Sequence, residues 1–275
     1  MPVKKDENGK RWVEMELILP GTPDQVWQAV ATGPGVSAWF TRCHIEERVG
    51  GTVQFDFGPN GTSTGEVTAW QPPFRFGYVE REWSEGAPPC VTEITVTRRP
   101  DGKSVFCMVH SLATSTDEWD ESLESFESGW PGFFEVLRLY LAHFAGSKAA
   151  SFLVVASANS PQAVVWKRLT EALNLDAANF GDERTTDSPE KLTGTIMRVE
   201  QSAQERYILL RLTAPVQGIA LIGTFGDDKA ANASMTLYLY GDDVEQRSRS
   251  SESKWGEWLC ETFKQPADQD GRYTP

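Results

Sequence analysis

Six short runs of alternating apolar and polar residues follow one another between residues 42 and 112. Alternation with a period of two is typical of β-strands that bury one face. Turn signals that contain Gly or Pro separate the runs, so neighbouring runs can pair as antiparallel hairpins. In chain order the runs are RCHIEERV, GTVQFDF, STGEVTAWQ, FRFGYVEREW, CVTEITVTRR and KSVFCMVHSL. The sequence therefore predicts an antiparallel meander of six strands.

Helical segments precede and follow this meander. A strand-like run, RWVEMELIL at residues 11–19, comes first, and Thr22 then caps a helix that ends near Gly33. After the meander, residues 129–146 carry apolar side chains at helical spacing and predict a final amphipathic helix. Residues 117–128 contain six acids. They predict either a solvated loop or an extension of that helix, with a docking surface for a basic partner as the alternative.

The second half of the chain repeats three landmarks of the first half in the same order, which indicates a tandem repeat. Strand-like runs, ILLRL, GIALIGTF and SMTLYLY, lie between the helical segments of this second half. The second copy is shorter, and we expect it to lack the short VSAWF helix (residues 36–40) and the first hairpin. The matched segments are Pro23-Asp-Gln-Val-Trp27 with Pro161-Gln-Ala-Val-Val-Trp166, Thr64-Gly-Glu-Val67 with Thr193-Gly-Thr-Ile196, and Glu127-Ser-Gly-Trp130 with Glu252-Ser-Lys-Trp255.

Length and composition agree with two globular domains. A chain of 275 residues commonly forms one large or two ordinary domains. Its content of 40% hydrophobic and 11% aromatic residues provides apolar side chains for packed cores and argues against disorder. We predict domains at residues 1–146 and 151–275, with the boundary at residues 147–150.

The ordered set P-x-x-V-W, A-W-F, G-G-T-V, T-G-E-V, Q-P-P-F-R-F and S-G-W resembles the SRPBCC superfamily, also called START-like. More narrowly, it resembles the bacterial homologues of the activator of heat-shock protein 90 ATPase. The resemblance extends over residues 12–146, whereas residues 151–265 resemble the family through the three repeated landmarks. It implies an α+β helix-grip fold in two copies, in which a curved antiparallel sheet wraps around a long C-terminal helix with an apolar cavity between them.

The alternation of the strands places several aromatic side chains on one sheet face, where they could line this cavity. Aromatic walls with a few polar groups are typical of small-molecule pockets, although the same pattern also fits a packed core. The candidate ligand-binding residues are Trp39, Phe55, Phe57, Phe76, Tyr78, Glu82, Phe106, Met108, His110, Trp130, Phe134 and Leu137.

Three polar members of this set are expected to determine selectivity. His110 shares a face with Phe106, so its ring either points into the cavity or forms hydrogen bonds within the core. Glu80 and Glu82 alternate in phase with Tyr78, and we expect one carboxylate to face the cavity. We select Glu82, together with Tyr78 and His110.

Motifs for catalysis and cofactor binding lack their required context. Residues 61–65 match G-x-S-x-G, but a turn precedes them and a strand follows, which indicates a hairpin. Residues 33–38 fit a relaxed dinucleotide fingerprint but follow a helix. The four cysteines form no C-x-x-C pair, and no His lies within ligand spacing of a Cys except in Cys43-His44, so reduced thiols are expected. We predict no catalytic residue, no cofactor and no metal.

Charge limits the partners. The chain has 26 Lys and Arg against 39 Asp and Glu, a formal charge of −13, so we expect no nucleic-acid or membrane partner. The N-terminus enters charged residues without an apolar leader segment, which predicts a cytoplasmic location. A protein partner or a second copy of the chain is also possible. Trp255 and Trp258 are candidates for an exposed apolar patch on the second domain.

These observations predict a noncatalytic protein that holds a small apolar or amphipathic molecule in the N-terminal domain. The resemblance implies two alternatives. One is a chaperone-linked or stress-response adaptor that binds another protein. The other is an enzyme of the cyclase, aromatase or hydrolase type.

Overall fold

The computed structural model describes residues 3–7, 10–58, 61–112, 114, 116–202, 206–226 and 229–264, with residues 126 and 127 described by their backbone only. The chain divides into two compact units, Met1–Ser151 and Phe152–Pro275. Each unit has its own sheet and its own helices. Residues 265–275 of the predicted second domain lie outside the described residues.

The N-terminal unit contains one eight-stranded antiparallel sheet with the strand order β1-β2-β8-β7-β6-β5-β4-β3. The predicted meander of six strands is confirmed as β3 to β8. The elements are β1 (Lys4–Lys5), β2 (Arg11–Leu19), α1 (Pro23–Ala31), α2 (Gly33–Ser37), β3 (Arg42–Ile45), β4 (Thr52–Asp56), β5 (Thr62–Gln71), β6 (Arg75–Glu80), β7 (Cys90–Arg98), β8 (Ser104–Leu112), α3 (Asp120–Gly129) and α4 (Pro131–His143).

Two caps define the helices near the N-terminus. The Thr22 hydroxyl accepts a hydrogen bond from the backbone N–H of Gln25, and the Gln25 side chain accepts one from the backbone N–H of Thr22. This capping box starts α1, as the sequence predicts. The hydroxyl of Thr32 accepts a hydrogen bond from the backbone N–H of Gly35 and caps α2. Because of this cap, α2 begins at Gly33 rather than at the predicted VSAWF segment.

The acidic segment before the last helix is itself helical. Six acids do not prevent helix formation, because acidic side chains in a first turn interact favourably with the helix dipole. The helix breaks at Trp130, where Pro131 supplies no backbone N–H and starts α4. Phe134 of α4 packs against Phe106 of β8, with ring centroids 5.7 Å apart. The N-terminal unit thus has the α+β helix-grip fold.

The C-terminal unit contains a six-stranded sheet with the order β10-β11-β12-β13-β14-β9. Its last helix buries Trp255 completely, so the expectation that Trp255 belongs to an exposed patch is wrong; Trp258 is half-buried. The elements are β9 (Ala149–Ala158), α5 (Gln162–Ala172), β10 (Glu183–Thr185), β11 (Thr193–Gln201), β12 (Arg206–Ala214), β13 (Gly218–Gly226), β14 (Ala231–Tyr240) and α6 (Val244–Phe263).

The two units share one connectivity: a strand, a helix, an antiparallel meander and a final helical segment. In the described part of the second unit no helix separates α5 from β10, and one strand, β10, takes the place of β3 and β4. Both sheets also contain a bulge directly after the T-G motif. It lies between Val67 and Ala69 in the first sheet and between Ile196 and Arg198 in the second. The second sheet has a further register shift between Thr193 and Gly194. From the glycine of each motif onward, positions of β5 to β8 can therefore be matched with positions of β11 to β14.

Among the helices of the described residues, none combines the length and the apolar composition that crossing a bilayer requires.

Candidate ligand-binding site of the N-terminal unit

The candidate site lies on the sheet face that carries Phe106 and His110, against which α4 packs; we call this the inner face. Strand pairing places two sets of residues side by side across five strands. The His110 row consists of Val13, His110, Thr92, Tyr78 and Val67. The Glu80 row, next to it, consists of Arg11, Leu112, Cys90, Glu80 and Gly65.

Hydrogen bonds connect the His110 row to the helical side of the site. The Trp130 indole Nε1–H donates to Nε2 of His110 at 2.9 Å. The other ring nitrogen, Nδ1, lies 2.9 Å from the Thr92 hydroxyl oxygen. An indole N–H only donates, so Nε2 is the acceptor, and in the neutral ring the proton lies on Nδ1 and is donated to Thr92. The hydrogen bonds thus fix one neutral tautomer of His110.

Burial keeps this row uncharged at neutral pH. It lowers the pKa of His110 to about 4, because the charged imidazolium would lose its hydration. Burial also raises the pKa of the Tyr78 phenol well above its ordinary value, and the charge of Glu80 adds to this rise. A hydrogen bond from Thr92 acts in the opposite direction on the Tyr78 pKa.

Glu80 is the half-buried carboxylate of the neighbouring row. The Ser63 hydroxyl donates a hydrogen bond to its Oε1 atom. Burial raises the pKa of Glu80, and the hydrogen bond from Ser63 partly offsets this effect. The opposite position is Gly65, where a Cβ atom would lie 3.2 Å from Glu80 Cγ and 3.4 Å from the Tyr78 ring. Because Gly65 has no side chain, Glu80 and Tyr78 can occupy this space.

An ion pair occupies the other end of the Glu80 row. The guanidinium Nη1 of Arg11 lies 2.5 Å from the Oδ2 atom of Asp120, the first residue of α3. Only 11% of the Arg11 side chain is exposed, so this charge depends on its carboxylate partner. The pair joins β2 to the start of α3.

Half-buried aromatic rings surround Phe40 and form what we call the aromatic rim: Phe40, Phe57, Trp130 and Phe133. The ring centroid of Phe40 lies 4.7 Å from that of Trp130 and 4.9 Å from that of Phe133. Trp130 also stacks on Phe134 at 5.2 Å. Trp130 thus links the solvent-accessible rim to the buried His110 row.

Eleven of the twelve predicted site residues lie on the inner face or among the rings and helical side chains packed on it. Met108 pairs with Met15 and Ile94 on the same face as His110, and Leu137 is fully buried on α4. The others make ring contacts with one another or with Phe40: Trp39, Phe55, Phe57, Phe76, Tyr78, Phe106, His110, Trp130 and Phe134.

Glu82 is the residue that the structure does not bring to the site. β6 ends at Glu80, and Glu82 is exposed in the loop of residues 81–89. Alternation loses its meaning once the strand ends, because loop side chains no longer follow the pleat. Glu80 therefore holds the position on the inner face that the sequence analysis assigned to Glu82.

Several residues of the site were not predicted: Phe40, Ser63, Thr92 and the pair Arg11 and Asp120. Thr92 alternates in phase with Ile94, so its position on the inner face was readable from the sequence. The Arg11 pair joins residues that are distant in the chain, which no local pattern indicates. Within the described residues, no group of three His, Cys, Asp or Glu side chains could hold a metal ion.

Residues 20–142 match a family model described as Activator of Hsp90 ATPase homolog 1-like protein. The matched segment lies within the N-terminal unit. The search of curated proteins gave no match.

Solved structures of related shape come from several bacteria. Protein MLL2253 from Mesorhizobium loti is 22% identical, with 49% of this chain and 98% of that chain covered and a TM-score of 0.44. The Aha1 dimer from Colwellia psychrerythraea is 18% identical, with 49% and 98% covered and a TM-score of 0.40. DynU16, a putative protein in the dynemicin biosynthetic locus, is 18% identical, with 90% and 95% covered and a TM-score of 0.43.

Proposed function

The N-terminal unit of this chain belongs to the family of Activator of Hsp90 ATPase homolog 1-like proteins, and we propose that it binds a small apolar or amphipathic molecule without catalysing a reaction. The molecule inserts at the aromatic rim and reaches the His110 and Glu80 rows beneath it. The rim supplies apolar contact area, and the rows supply the polar groups that orient the ligand.

The observation that carries this proposal is the position of Trp130. Its ring is half-buried and contacts Phe40 at the rim, while its indole N–H donates to His110 on the inner face. A ligand that packs against the rim is therefore coupled to a row of hydrogen-bonding groups whose partners and tautomer are already fixed. Such preorganisation lowers the entropy cost of binding.

The chemistry of the buried groups favours binding over catalysis. Both ring nitrogens of His110 already have partners, Trp130 and Thr92, so this residue positions its neighbours and is not placed to transfer a proton to a ligand. Burial raises the pKa of the Cys43 and Cys90 thiols to about 12. A thiol with so high a pKa is a poor nucleophile at neutral pH.

Native mass spectrometry of the full chain, compared with its denatured mass, tests the proposal. We expect a small-molecule adduct that is lost on denaturation, and saturable binding of the neutral fluorescent probe N-pentyl dansylamide to chain freed of the adduct. The absence of both the adduct and probe binding would contradict the proposal. That result would favour the adaptor function that the sequence resemblance implies.

A row variant identifies the site. The combined substitution Tyr78→Leu, Thr92→Ala and His110→Leu introduces the residues that occupy the matched positions of the C-terminal sheet, Leu210, Ala220 and Leu237. The fold accommodates these side chains there, so we expect an unchanged far-UV circular dichroism spectrum and at least about tenfold weaker probe binding. Undiminished probe binding would place the ligand elsewhere.

A further inference from the structure

We propose that the ligand carries a protonated amine and that this amine lies against the Glu80 carboxylate, beneath the aromatic rim. The inference rests on the proposed function and specifies the chemical class of the ligand. Three independent features lead to it: a carboxylate with no cationic partner among the described residues, the neutralisation of the one described cation in its row, and a rim of aromatic rings.

The first feature is the bonding of Glu80. Its Oε1 atom accepts a hydrogen bond from Ser63, and no Lys, Arg or His among the described residues forms an ion pair with it. Glu80 pairs with Gly65, and a Cβ atom added at Gly65 would touch the side chains of both Glu80 and Tyr78. The side chain of Glu80 therefore lies on the inner face, beside Tyr78. A half-buried carboxylate is costly unless a cation or hydrogen-bond donors compensate it. A ligand amine would supply both.

The second feature concerns anionic ligands. Arg11 is the cation of the Glu80 row, and Asp120 already neutralises it. Arg11 and Glu80 are also separated by two strands of the sheet, β8 and β7. A ligand carboxylate would therefore meet Glu80 without a cation to receive it, and repulsion would disfavour it.

The third feature is the set of aromatic rings and acidic residues at and near the aromatic rim. Half-buried rings of the aromatic rim, among them Phe40 and Phe57, favour cations through their ring quadrupoles. Trp119, in the acidic segment of residues 117–128, packs against Trp83 of the loop that follows Glu80, with ring centroids 5.6 Å apart. The acidic segment thus lies beside this part of the site, where its field raises the local concentration of cations.

Three probes with one fluorophore and matched linkers test the inference on the full chain. Dansylcadaverine ends in a protonated amine, N-pentyl dansylamide is neutral, and dansyl-6-aminohexanoic acid ends in a carboxylate. We expect the amine probe to bind about tenfold more tightly than the neutral probe, and the carboxylate probe to bind most weakly. Energy transfer from tryptophan to the dansyl group reports the affinities.

Two substitutions locate the preference. Glu80→Gln keeps an acceptor for Ser63 and removes the charge, so we expect the ratio of amine-probe to neutral-probe affinity to fall from about ten to about one. Glu82→Gln is the matched control in the exposed loop and should retain the preference. Circular dichroism confirms that both variants fold.

The outcomes separate the two proposals. If the neutral probe binds and the amine probe gains nothing, or if Glu80→Gln leaves the amine preference intact, the amine inference is wrong and the binding function stands. If none of the three probes binds the unmodified chain, the amine inference is contradicted, and if native mass spectrometry also shows no adduct, the binding function itself is contradicted.

Discussion

At three of four matched positions, the first sheet of this chain carries a polar side chain and the second sheet carries a hydrocarbon one. Counting from the glycine of the T-G motif, Val67, Tyr78, Thr92 and His110 pair across the first sheet. At the same positions of the second sheet stand Ile196, Leu210, Ala220 and Leu237. One sheet has a hydrogen-bonded polar row where the other has hydrocarbon. The fold therefore does not require the polar row.

The tryptophan on the last helical segment shows the same contrast. Trp130 is half-buried and donates to His110 on the sheet. Trp255 is fully buried and donates to Glu190 at 3.2 Å, and the same carboxylate accepts from Lys254 at 3.0 Å. The break at Pro131 leaves Trp130 at the end of a helix, whereas α6 continues past Trp255. The indole serves the candidate site in one unit and core packing in the other.

The first prediction is the largest and tests this division of roles. Replacing Trp255 with Ala removes a fully buried ring and should lower the free energy of unfolding of the C-terminal unit by about 3–5 kcal/mol. Trp130→Ala should cost less stability, since this ring is half-buried, but should abolish binding of the neutral probe. Urea unfolding followed by circular dichroism and a probe titration measure the two effects.

Trp255→Phe and Trp130→Phe are the controls, because they keep an aromatic ring and remove the indole donor. The different roles of the two tryptophans would be contradicted if Trp130→Ala destabilises its unit as much as Trp255→Ala does while probe binding survives. Trp130 would then be a core residue like its counterpart.

The second prediction uses the ionisation of His110, which has no counterpart at Leu237. Its pKa falls from 6.5 to about 4 on folding, so the folded state favours the neutral ring. This contribution to stability is complete above pH 6.5 and is lost as the pH falls from 6.5 to about 4, because the unfolded chain then binds more protons. The loss amounts to about 3 kcal/mol by the lower end of that range.

Urea unfolding of the unmodified chain and of His110→Leu across this pH range measures the effect as a difference between the two proteins. The difference removes the contributions of carboxylates, which titrate in both. Parallel stability profiles would show that His110 is not kept neutral by burial.

The third and smallest prediction concerns the glycines of the two T-G motifs. A Cβ atom at Gly194 would lie 2.5 Å from the carbonyl oxygen of Arg211, and one at Gly65 would lie 2.9 Å from that of Val79. We expect each Gly→Ala change to destabilise its unit by about 1–3 kcal/mol, with Gly194→Ala the larger. Gly65→Ala should also weaken probe binding, because the added methyl group displaces Glu80.

Gly129→Ala provides the matched control for this pair, since nothing lies within 4 Å of its added Cβ atom. It should not destabilise the N-terminal unit, since alanine favours a helix more than glycine does, and it should leave probe binding unchanged. Equal losses for Gly129→Ala and Gly65→Ala would show that the close approach over Gly65 is unimportant.

The strands and the aromatic part of the site could be predicted because both depend on local alternation. Phe76 and Tyr78 lie on one face for the same reason that β6 is a strand. The choice between Glu80 and Glu82 depended on where β6 ends. The alternation of polar and apolar residues continues past Glu80 into the loop, so it does not mark this end. A boundary of this kind is set by pairing with neighbouring strands, which the sequence does not display.

The features that were missed depend on contacts between distant segments. Arg11 alternates in phase with Val13, but its partner Asp120 lies far away in the chain, so no local pattern indicates the ion pair. Trp255 was expected, with Trp258, to belong to an exposed patch near the C-terminus. The buried side of α6 includes Ser248 and Ser251 as well as Leu259. Because two of these residues are polar, the hydrophobic pattern of the sequence does not reveal the buried side of this helix.

The bulge that follows the T-G motif in both sheets has a consequence for protein engineering. It keeps the two meanders in the same register, so the positions of Tyr78, Thr92 and His110 have defined counterparts in a hydrocarbon sheet of the same polypeptide. The second sheet thus offers the same strand positions without the polar side chains. Transplanting the polar row onto it requires Leu210→Tyr, Ala220→Thr and Leu237→His, all within strands, and leaves every turn of the chain unaltered.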